Sequence, residues 1–563
     1  MTPHTIRSLL VILVVTVATD AGASPYWVFF TDRGPQNVAK AVAAKAADPS
    51  EPKNMCRRTK VLGSAIFDER DLPVNPAYIA AVAAAGGEVR TVTRYFNGVS
   101  VKLDEDARIR VERMPFVKSV RPVAEHRKPK EPQGAVLKPP ESAKPADLSY
   151  GYSFDQLNLL GIVKLQNLGY LGDGVRVCLL DSGYDNLAHA AFDSVRIIHR
   201  WDFVDRDGNV GGDDHGSEVF SVLCALDKGN MIGAAPHAEF MLARTEIINE
   251  TDVKAEEDYW IAGLEWADSL GADIVNSSLG YTDFSDGKSY TYADLNGETA
   301  LTTIAADIAV DKGMAVVNSA GNEGDKPWYY VVTPADGKRV IAVGSVRLDS
   351  NLETSVSAFS SRGPTFDGRV KPDFVALGEN VRVVNVNGSY WFKNGTSFAA
   401  PAVTGAAALL LQLHPSWSPV VLYDSLRVTA KSAGPDSLAG YGLADAFAAS
   451  GFSEEGASVA GFTAYDPYPQ PAVFGDAVNR IYFPVDVPVG GRMLSIYIYS
   501  FTGERVMTIE QAVAASGSYR EQSGAPFWNG RNFTGDAVAP GIYYYTIRLF
   551  GYGEYRGKVA VIR

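Results

Sequence analysis

The sequence predicts an α/β domain, a parallel sheet with helices on both faces, set between a small α+β unit and a C-terminal β-sandwich. Three observations point there. From about residue 147, short apolar runs alternate with helix-length stretches, the pattern of consecutive βαβ units. Residues 25 to about 124 read β-α-β-β-α-β, the ferredoxin-like order. From about 462 onward there are only short strands separated by turns.

The chain opens like an export signal. Arg7 supplies the positive segment, Leu9 to Ala18 the apolar stretch and Ala21-Gly22-Ala23 the small-residue cleavage pattern, so residues 1–23 are expected to be removed. The apolar stretch is too short for a stable membrane span, and no later run of eighteen apolar residues occurs. The three cysteines, Cys56, Cys178 and Cys224, cannot make a disulfide framework. Cys178 and Cys224 lie in apolar stretches and read as inert buried thiols. No Cys-x-x-Cys or His-x-x-x-His spacing offers zinc a site.

In the first unit (24–124), Tyr26–Phe30 is the first strand. A helix starts at Pro76 with Asn75 as its cap, and Val89–Tyr95 and Gly98–Leu103 are strands. Asp104–Met114 is a helix opened by acidic residues, and Val117–Val120 closes the unit. Residues 125–146 hold Pro129, Pro132, Pro139, Pro140 and Pro145 among lysines, the composition of an exposed, cleavable linker. Charge divides at this linker. Residues 25–146 carry 21 Lys+Arg against 14 Asp+Glu, and residues 147–563 carry 30 against 50. A basic unit beside an acidic body is expected to bind it, and the acidic body excludes nucleic acid as its partner.

In the central part (147–452), Val175–Leu180 is a buried strand ending at Asp181-Ser182-Gly183, and a helix follows His215-Gly216. Phe240–Ala243, Ile274–Gly280, Met314–Asn318 and Val340–Val346 are further strands, with helices over Glu257–Leu270 and Ala300–Lys312. In parallel sheets functional groups gather at strand C-termini, where Asp181, Gly280 and Asn322 fall. Ser397 arrives differently, at the entry of the apolar helix that follows Asn394-Gly395-Thr396. A serine there has unpaired N–H groups and a helix dipole beside it, suited either to capping or to holding an oxyanion. Hydrolysis by serine needs a base, an orienting carboxylate and oxyanion donors. Asp181, His215, Ser397 and Asn322 could supply them, although each alone also reads as a turn or cap residue.

Four blocks carry a resemblance. Leu180-Asp181-Ser182-Gly183, His215-Gly216-Ser217, Gly321-Asn322-Glu323-Gly324 and Gly395-Thr396-Ser397-Phe398-Ala399-Ala400-Pro401 resemble the signatures of subtilisin-like serine proteases over roughly residues 150–450. The resemblance implies Asp181 as orienter, His215 as base, Ser397 as nucleophile and Asn322 as oxyanion donor. It also implies that Ser278-Leu279-Gly280 pairs with the substrate backbone and lines its main specificity pocket. Protein or peptide substrates and an acyl-enzyme follow. Two positions depart from the common pattern: Glu218 stands where a second histidine is usual, and Phe398 where methionine is. No cofactor is required. The acidic stretch with Asp202, Asp205, Asp207, Asp213 and Asp214 could hold calcium, but reads more simply as a solvated loop.

Phe96–Val101 and Val117–Val120 resemble the same family's propeptide, which implies an intramolecular chaperone and inhibitor cut off in or just after the linker. After a second linker (453–461), residues 462–563 contain Trp528-Asn529-Gly530-Arg531-Asn532 and Val538–Tyr543. These resemble Ig-like C-terminal sorting domains of type IX secretion substrates, and so imply contact with a secretion machinery. The reading is a secreted, autoprocessing serine endopeptidase. Its rivals are a catalytically silent surface-binding or adhesive scaffold of the same fold and an esterase. The second lacks support because no Gly-x-Ser-x-Gly elbow surrounds Ser397.

Overall fold

The computed structural model describes residues 23–123, 148–451 and 462–562, apart from 36, 47–51, 64–65, 248–255, 283–288, 350–352, 386, 432–433, 470–471, 475–479, 488–491, 501–504, 514–516, 520–524 and 550–552. The expected signal segment but for its last residue, the linker 125–146 and the linker 453–461 lie outside the described residues.

The N-terminal unit pairs Ser24–Phe30 (β1), Glu88–Thr93 (β2), Gly98–Leu103 (β3) and Val117–Pro122 (β4) into one antiparallel sheet, order β2-β3-β1-β4. That is the ferredoxin-like arrangement the element order predicts. The sequence reading gave β1 and β2 one helix between them, but the described residues hold three α-helices there, Val38–Ala46 (α1), Pro52–Leu62 (α2) and Pro76–Ala84 (α3), and a 3-10 turn at Glu69–Asp71. α3 starts at Pro76, and Asn75 Oδ1 accepts the Ala77 N–H at 2.9 Å. Glu105–Glu112 (α4) is capped by Asp104 through the Ala107 N–H. Val28, Phe30, Val99, Val101 and Leu103 from the sheet bury against Val82, Ala107 and Val111 from these helices.

Among the described residues the central sheet has eight strands. Arg176–Asp181 (β5), Arg196–Asp202 (β6), Glu239–Arg244 (β7), Ile274–Ser277 (β8), Ala315–Ser319 (β9) and Ile341–Leu348 (β10) run parallel in the order β10-β9-β8-β5-β7-β6. Thr354–Val356 (β11) joins β10 antiparallel and Phe374–Leu377 (β12) joins it parallel. Successive side chains of one strand point to opposite faces, and both faces are covered. Val177 and Leu179 enter one apolar core with Phe240 and Leu242, while Cys178 and Leu180 enter the other with Met241 and Ala243. Helices His215–Cys224 (α5) and Thr396–Leu413 (α8) fill the first face. Helices Glu257–Ser269 (α6) and Leu301–Asp311 (α7) fill the second. Gly405, which breaks the apolar run of α8, lies against Ala234, where a Cβ would stand 2.1 Å from the Ala234 Cβ.

The N-terminal unit docks on the α6–α7 face, with Trp27, Phe29, Tyr95 and Val123 sharing its core. Its basic residues meet the acidic ones of α6. Asp268 receives Arg57, Arg58 Nη2 at 2.6 Å and Arg94 Nη2 at 3.2 Å. Asp258 receives Arg90 at 3.3 Å and the Ser100 hydroxyl. Glu265 accepts the backbone N–H groups of Arg94 (2.9 Å) and Tyr95 (3.1 Å). In the other direction Lys312 reaches Asp71 at 2.8 Å. Burial alone would raise the Asp268 carboxyl, yet Arg57, Arg58, Arg94 and Lys312 outweigh it and hold the group far below the usual carboxylate range. The charge division along the sequence is thus spent at this contact.

Toward the C-terminus, a five-stranded sheet centred on Arg492–Tyr499, Gly541–Leu549 and Gly553–Ile562 accompanies a three-stranded and a two-stranded one. Ile496, Ile498, Tyr545 and Ile547 share a core with Ile481, Val485, Val487 and Trp528 from the smaller sheets, a sandwich as expected.

Candidate active site

Asp181 ends β5, and its carboxylate is buried with no exposed surface. Its Oδ1 accepts the Ser182 N–H at 2.8 Å and lies 2.5 Å from His215 Nδ1. His215 opens α5, and two glycines allow the approach. A Cβ at Gly216 would stand 2.2 Å from the Gly183 oxygen, and one at Gly183 2.5 Å from the Asp213 nitrogen. The loop after β5 and the start of α5 therefore meet backbone to backbone. A carboxylate on Nδ1 keeps the proton there and leaves Nε2 as the basic nitrogen.

The same imidazole packs against Phe398, ring centres 5.9 Å apart, which brings it to the first turn of α8 where Ser397 sits. Pro401 lies inside α8 and has no N–H to give the Ser397 carbonyl four residues earlier. Ser278 Oγ donates to that carbonyl instead, at 2.9 Å, and Ser397 Oγ lies 3.3 Å from the Ser278 oxygen. A helix-breaking residue thereby fastens the serine to the segment after β8. Residues 278–280 form no strand of their own, and just beyond them Tyr281 bridges to Thr333.

Asn322 stands on the loop after β9. Its Oδ1 accepts both the N–H (2.9 Å) and the hydroxyl (3.0 Å) of Thr396. With the carbonyl end committed, the Nδ2 end faces the Gly395 side, 3.7 Å from where a Gly395 Cβ would lie. Thr396, overlooked in the sequence, is what orients this amide. Its hydroxyl also accepts the Gly321 N–H at 3.2 Å. Asp181 thus meets His215, His215 packs beside Ser397 through Phe398, Ser278 bonds Ser397 and Asn322 bonds the neighbouring Thr396, while Leu279 and Gly280 follow Ser278 along the chain.

The two departures from the common pattern have structural accounts. Phe398 is the ring that His215 leans on. Glu218 is buried on α5 with its carboxylate 2.8 Å from Lys393 Nζ, and burial pushes its carboxyl up to about 7. Strand Tyr390–Lys393 runs directly into Asn394-Gly395, so the pair ties the helix of His215 to the loop of Ser397. Most of the acidic stretch is the solvated loop expected, with Asp205 and Asp207 exposed, and only Asp202 departs from that reading. Asp202 ends β6, is fully buried and pairs with Arg244 Nη1 at 2.6 Å, and Asp205 meets the same nitrogen at 2.7 Å. The cation for these two carboxylates comes from the chain itself. Asp213 and Asp214 instead line an acidic cleft with Asp185, Asn186 and Gly212 beside His215. Burial, then Asp213, raises the Asp214 carboxyl.

Fold and site define an α/β hydrolytic enzyme with an attached N-terminal domain. Residues 172–442 match the Subtilase family and residues 25–135 match the Peptidase S8 propeptide domain of Bacteroidota. Subtilisin E of Bacillus subtilis (strain 168) is 30% identical over 372 residues, 65% of this chain and 84% of that protein. Subtilisin of Bacillus pumilus is 32% identical over 289 residues, 51% of this chain and 94% of that protein. The chain belongs to the subtilase family, as a subtilisin-like serine peptidase carrying a propeptide. In fold it is similar to the crystal structure of fervidolysin from Fervidobacterium pennivorans, a keratinolytic enzyme related to subtilisin. The TM-score is 0.55 at 19% identity, covering 96% of this chain and 78% of that one.

Proposed function

We propose that the chain is a secreted endopeptidase that processes its own propeptide and cleaves proteins through an acyl-enzyme on Ser397. The observation that carries this is the Asp181–His215 contact of 2.5 Å on a ring that packs beside Ser397. A substrate strand lies along Ser278-Leu279-Gly280, whose backbone precedes the Tyr281 bridge and is free of strand pairing. His215 Nε2 takes the Ser397 hydroxyl proton as Oγ bonds to the peptide carbonyl carbon. The resulting oxyanion is held by Asn322 Nδ2 and the first-turn N–H of Ser397. His215 then gives its proton to the departing amine as the C–N bond breaks. Water, deprotonated by the same ring, releases the acyl group. Asp181 keeps the ring oriented and stabilises its charged form throughout.

The propeptide inhibits by remaining docked on α6 and α7 after the cut, its own end lying toward the cleft. This is supported by the burial of Val123, the last described residue before the linker, in the peptidase core. The C-terminal sandwich serves as the sorting domain that a type IX machinery reads. The expectation that no cofactor is required stays with this reading.

A phosphonofluoridate tests it. Covalent label on Ser397, abolished in His215→Ala, together with cleavage of a peptide amide offered beside an acyl ester, is the expected result. A protein that takes no label would be a silent scaffold, and one that turns over the ester alone would be an esterase.

A further inference from the structure

Two segments hold the loop of Ser397 from different sides. Ser278 is bonded to Ser397 in both directions, and Gly321 and Asn322 are bonded to Thr396. Val332 stands between these segments. A Cβ placed on Gly280 would lie 2.1 Å from Val332 Cγ2, and one placed on Gly321 would lie 2.7 Å from Val332 Cγ1. Both walls leave room for the same isopropyl group only because they carry no Cβ, and at Gly321 the positive φ of 106° favours glycine as well. Val332 is held on both sides along the chain. Its N–H bonds the Ala320 oxygen at 3.0 Å, and Thr333 pairs with Tyr281 in both directions at 2.9 and 3.3 Å. It is 5% exposed, and a β-branched side chain pinned in this way has little rotameric freedom to swing aside.

We propose that Val332 is the floor of the pocket for the residue whose carbonyl is attacked (P1), and that it limits this enzyme to small P1 side chains such as glycine, alanine and serine. The inference rests on the peptidase reading above. In that reading the attacked carbon sits at Ser397 Oγ, its oxygen turns to Asn322, and the preceding backbone follows Ser278–Gly280. The P1 side chain is then directed between the Gly280 and Gly321 walls, onto the Val332 methyls. A closely packed apolar wall excludes larger groups because a clash in the bound state is carried into the transition state.

The test uses the full-length chain after self-processing, with rates normalised to Ser397 active sites counted by phosphonofluoridate. Two peptide substrates that differ only in having alanine or phenylalanine at P1 are compared. The expected wild-type kcat/KM favours alanine. Val332→Gly should move the ratio toward phenylalanine by about 10- to 200-fold, the range for one or a few carbons in a pocket, and Val332→Ala should move it part of the way. If Val332→Gly takes up no label, Val332→Ala, which removes only two methyls, decides. Labelled wild type that cleaves after phenylalanine as fast as after alanine overturns the inference. So does a ratio that stays within threefold of wild type in a labelled Val332 variant. Wild type that neither takes label nor cuts either substrate overturns the peptidase reading itself, and the label separates the two failures.

Discussion

Replacing Asp268 with asparagine keeps the shape of the side chain and removes the charge around which the propeptide is anchored. With the propeptide domain docked, this carboxylate meets Arg57, Arg58 and Arg94, and the first two guanidiniums are only 1% exposed. Asp71 still partners Arg58 at 2.7 Å, so that cation keeps a counter-charge, while Arg57 loses the charge of its Asp268 contact. Breaking a buried pair by removing one member costs about 3–5 kcal/mol. At about 1.4 kcal/mol per factor of ten, this weakens the propeptide complex by about two to three and a half orders of magnitude. Once the propeptide has left, the three arginines have gone with it, so kcat/KM of the mature enzyme should be unchanged. The assay is inhibition of peptide hydrolysis by the cleaved propeptide, measured on processed wild type and Asp268→Asn over a dilution series. A change in the inhibition constant below threefold, with normal mature activity, would refute the view that these charges hold the propeptide.

Other consequences follow from individual groups. Asn322→Ala removes one oxyanion donor and should lower kcat by about 10²–10³-fold with KM little changed. A normal rate would remove Asn322 from the mechanism. Glu257, buried on α6 beside Tyr290, has its carboxyl raised by burial from 4.5 to about 7, with Asp258 and Glu246 adding to the shift. A carboxyl raised on folding stabilises fully below its unfolded value and loses that stability as pH climbs through the folded value. Glu257→Gln, made in a Ser397→Ala background to prevent autolysis, should therefore gain stability relative to its parent by up to about 3 kcal/mol between pH 4.5 and 8. Parallel melting curves across that range would count against the buried charge. Cys178 and Cys224 are buried, with thiols pushed upward by desolvation. In the native protein a thiol reagent should modify only Cys56, which is exposed.

The parts of the fold that rest on local pattern were legible in the sequence. Gly98–Leu103 alternates cleanly, and Asn75-Pro76 and Asp104 mark helix starts that the chain uses as written. What depended on remote partners was hidden. α2 is mostly polar in composition, and its Arg57 and Arg58 acquire their meaning from Asp268, some two hundred positions later, with Asp71 a second partner of Arg58. β6 was missed because an edge strand with mostly exposed side chains, Arg196–Asp202, reads as polar loop. Asp202 seemed solvated for the same reason. Around the site, short blocks of small residues pointed to Asp181, His215, Asn322 and Ser397, and the structure sets Asp181 on His215 and Asn322 on Thr396. The residues that aim or bound them lie outside those blocks. Thr396 looks like loop filler until its hydroxyl is seen on Asn322, Glu218 like a substitution until Lys393 is found, and Val332 like core until Gly280 and Gly321 are placed against it.

The central claim is that Ser397 is a working nucleophile whose first substrate is its own chain. Wild type and Ser397→Ala, both made without the signal segment, should be purified side by side and compared on a gel over time. Loss of an N-terminal fragment ending within or just after the 125–146 linker in wild type, with Ser397→Ala remaining full length, is the predicted result. Identical processing of the two proteins, or none in either, would contradict it.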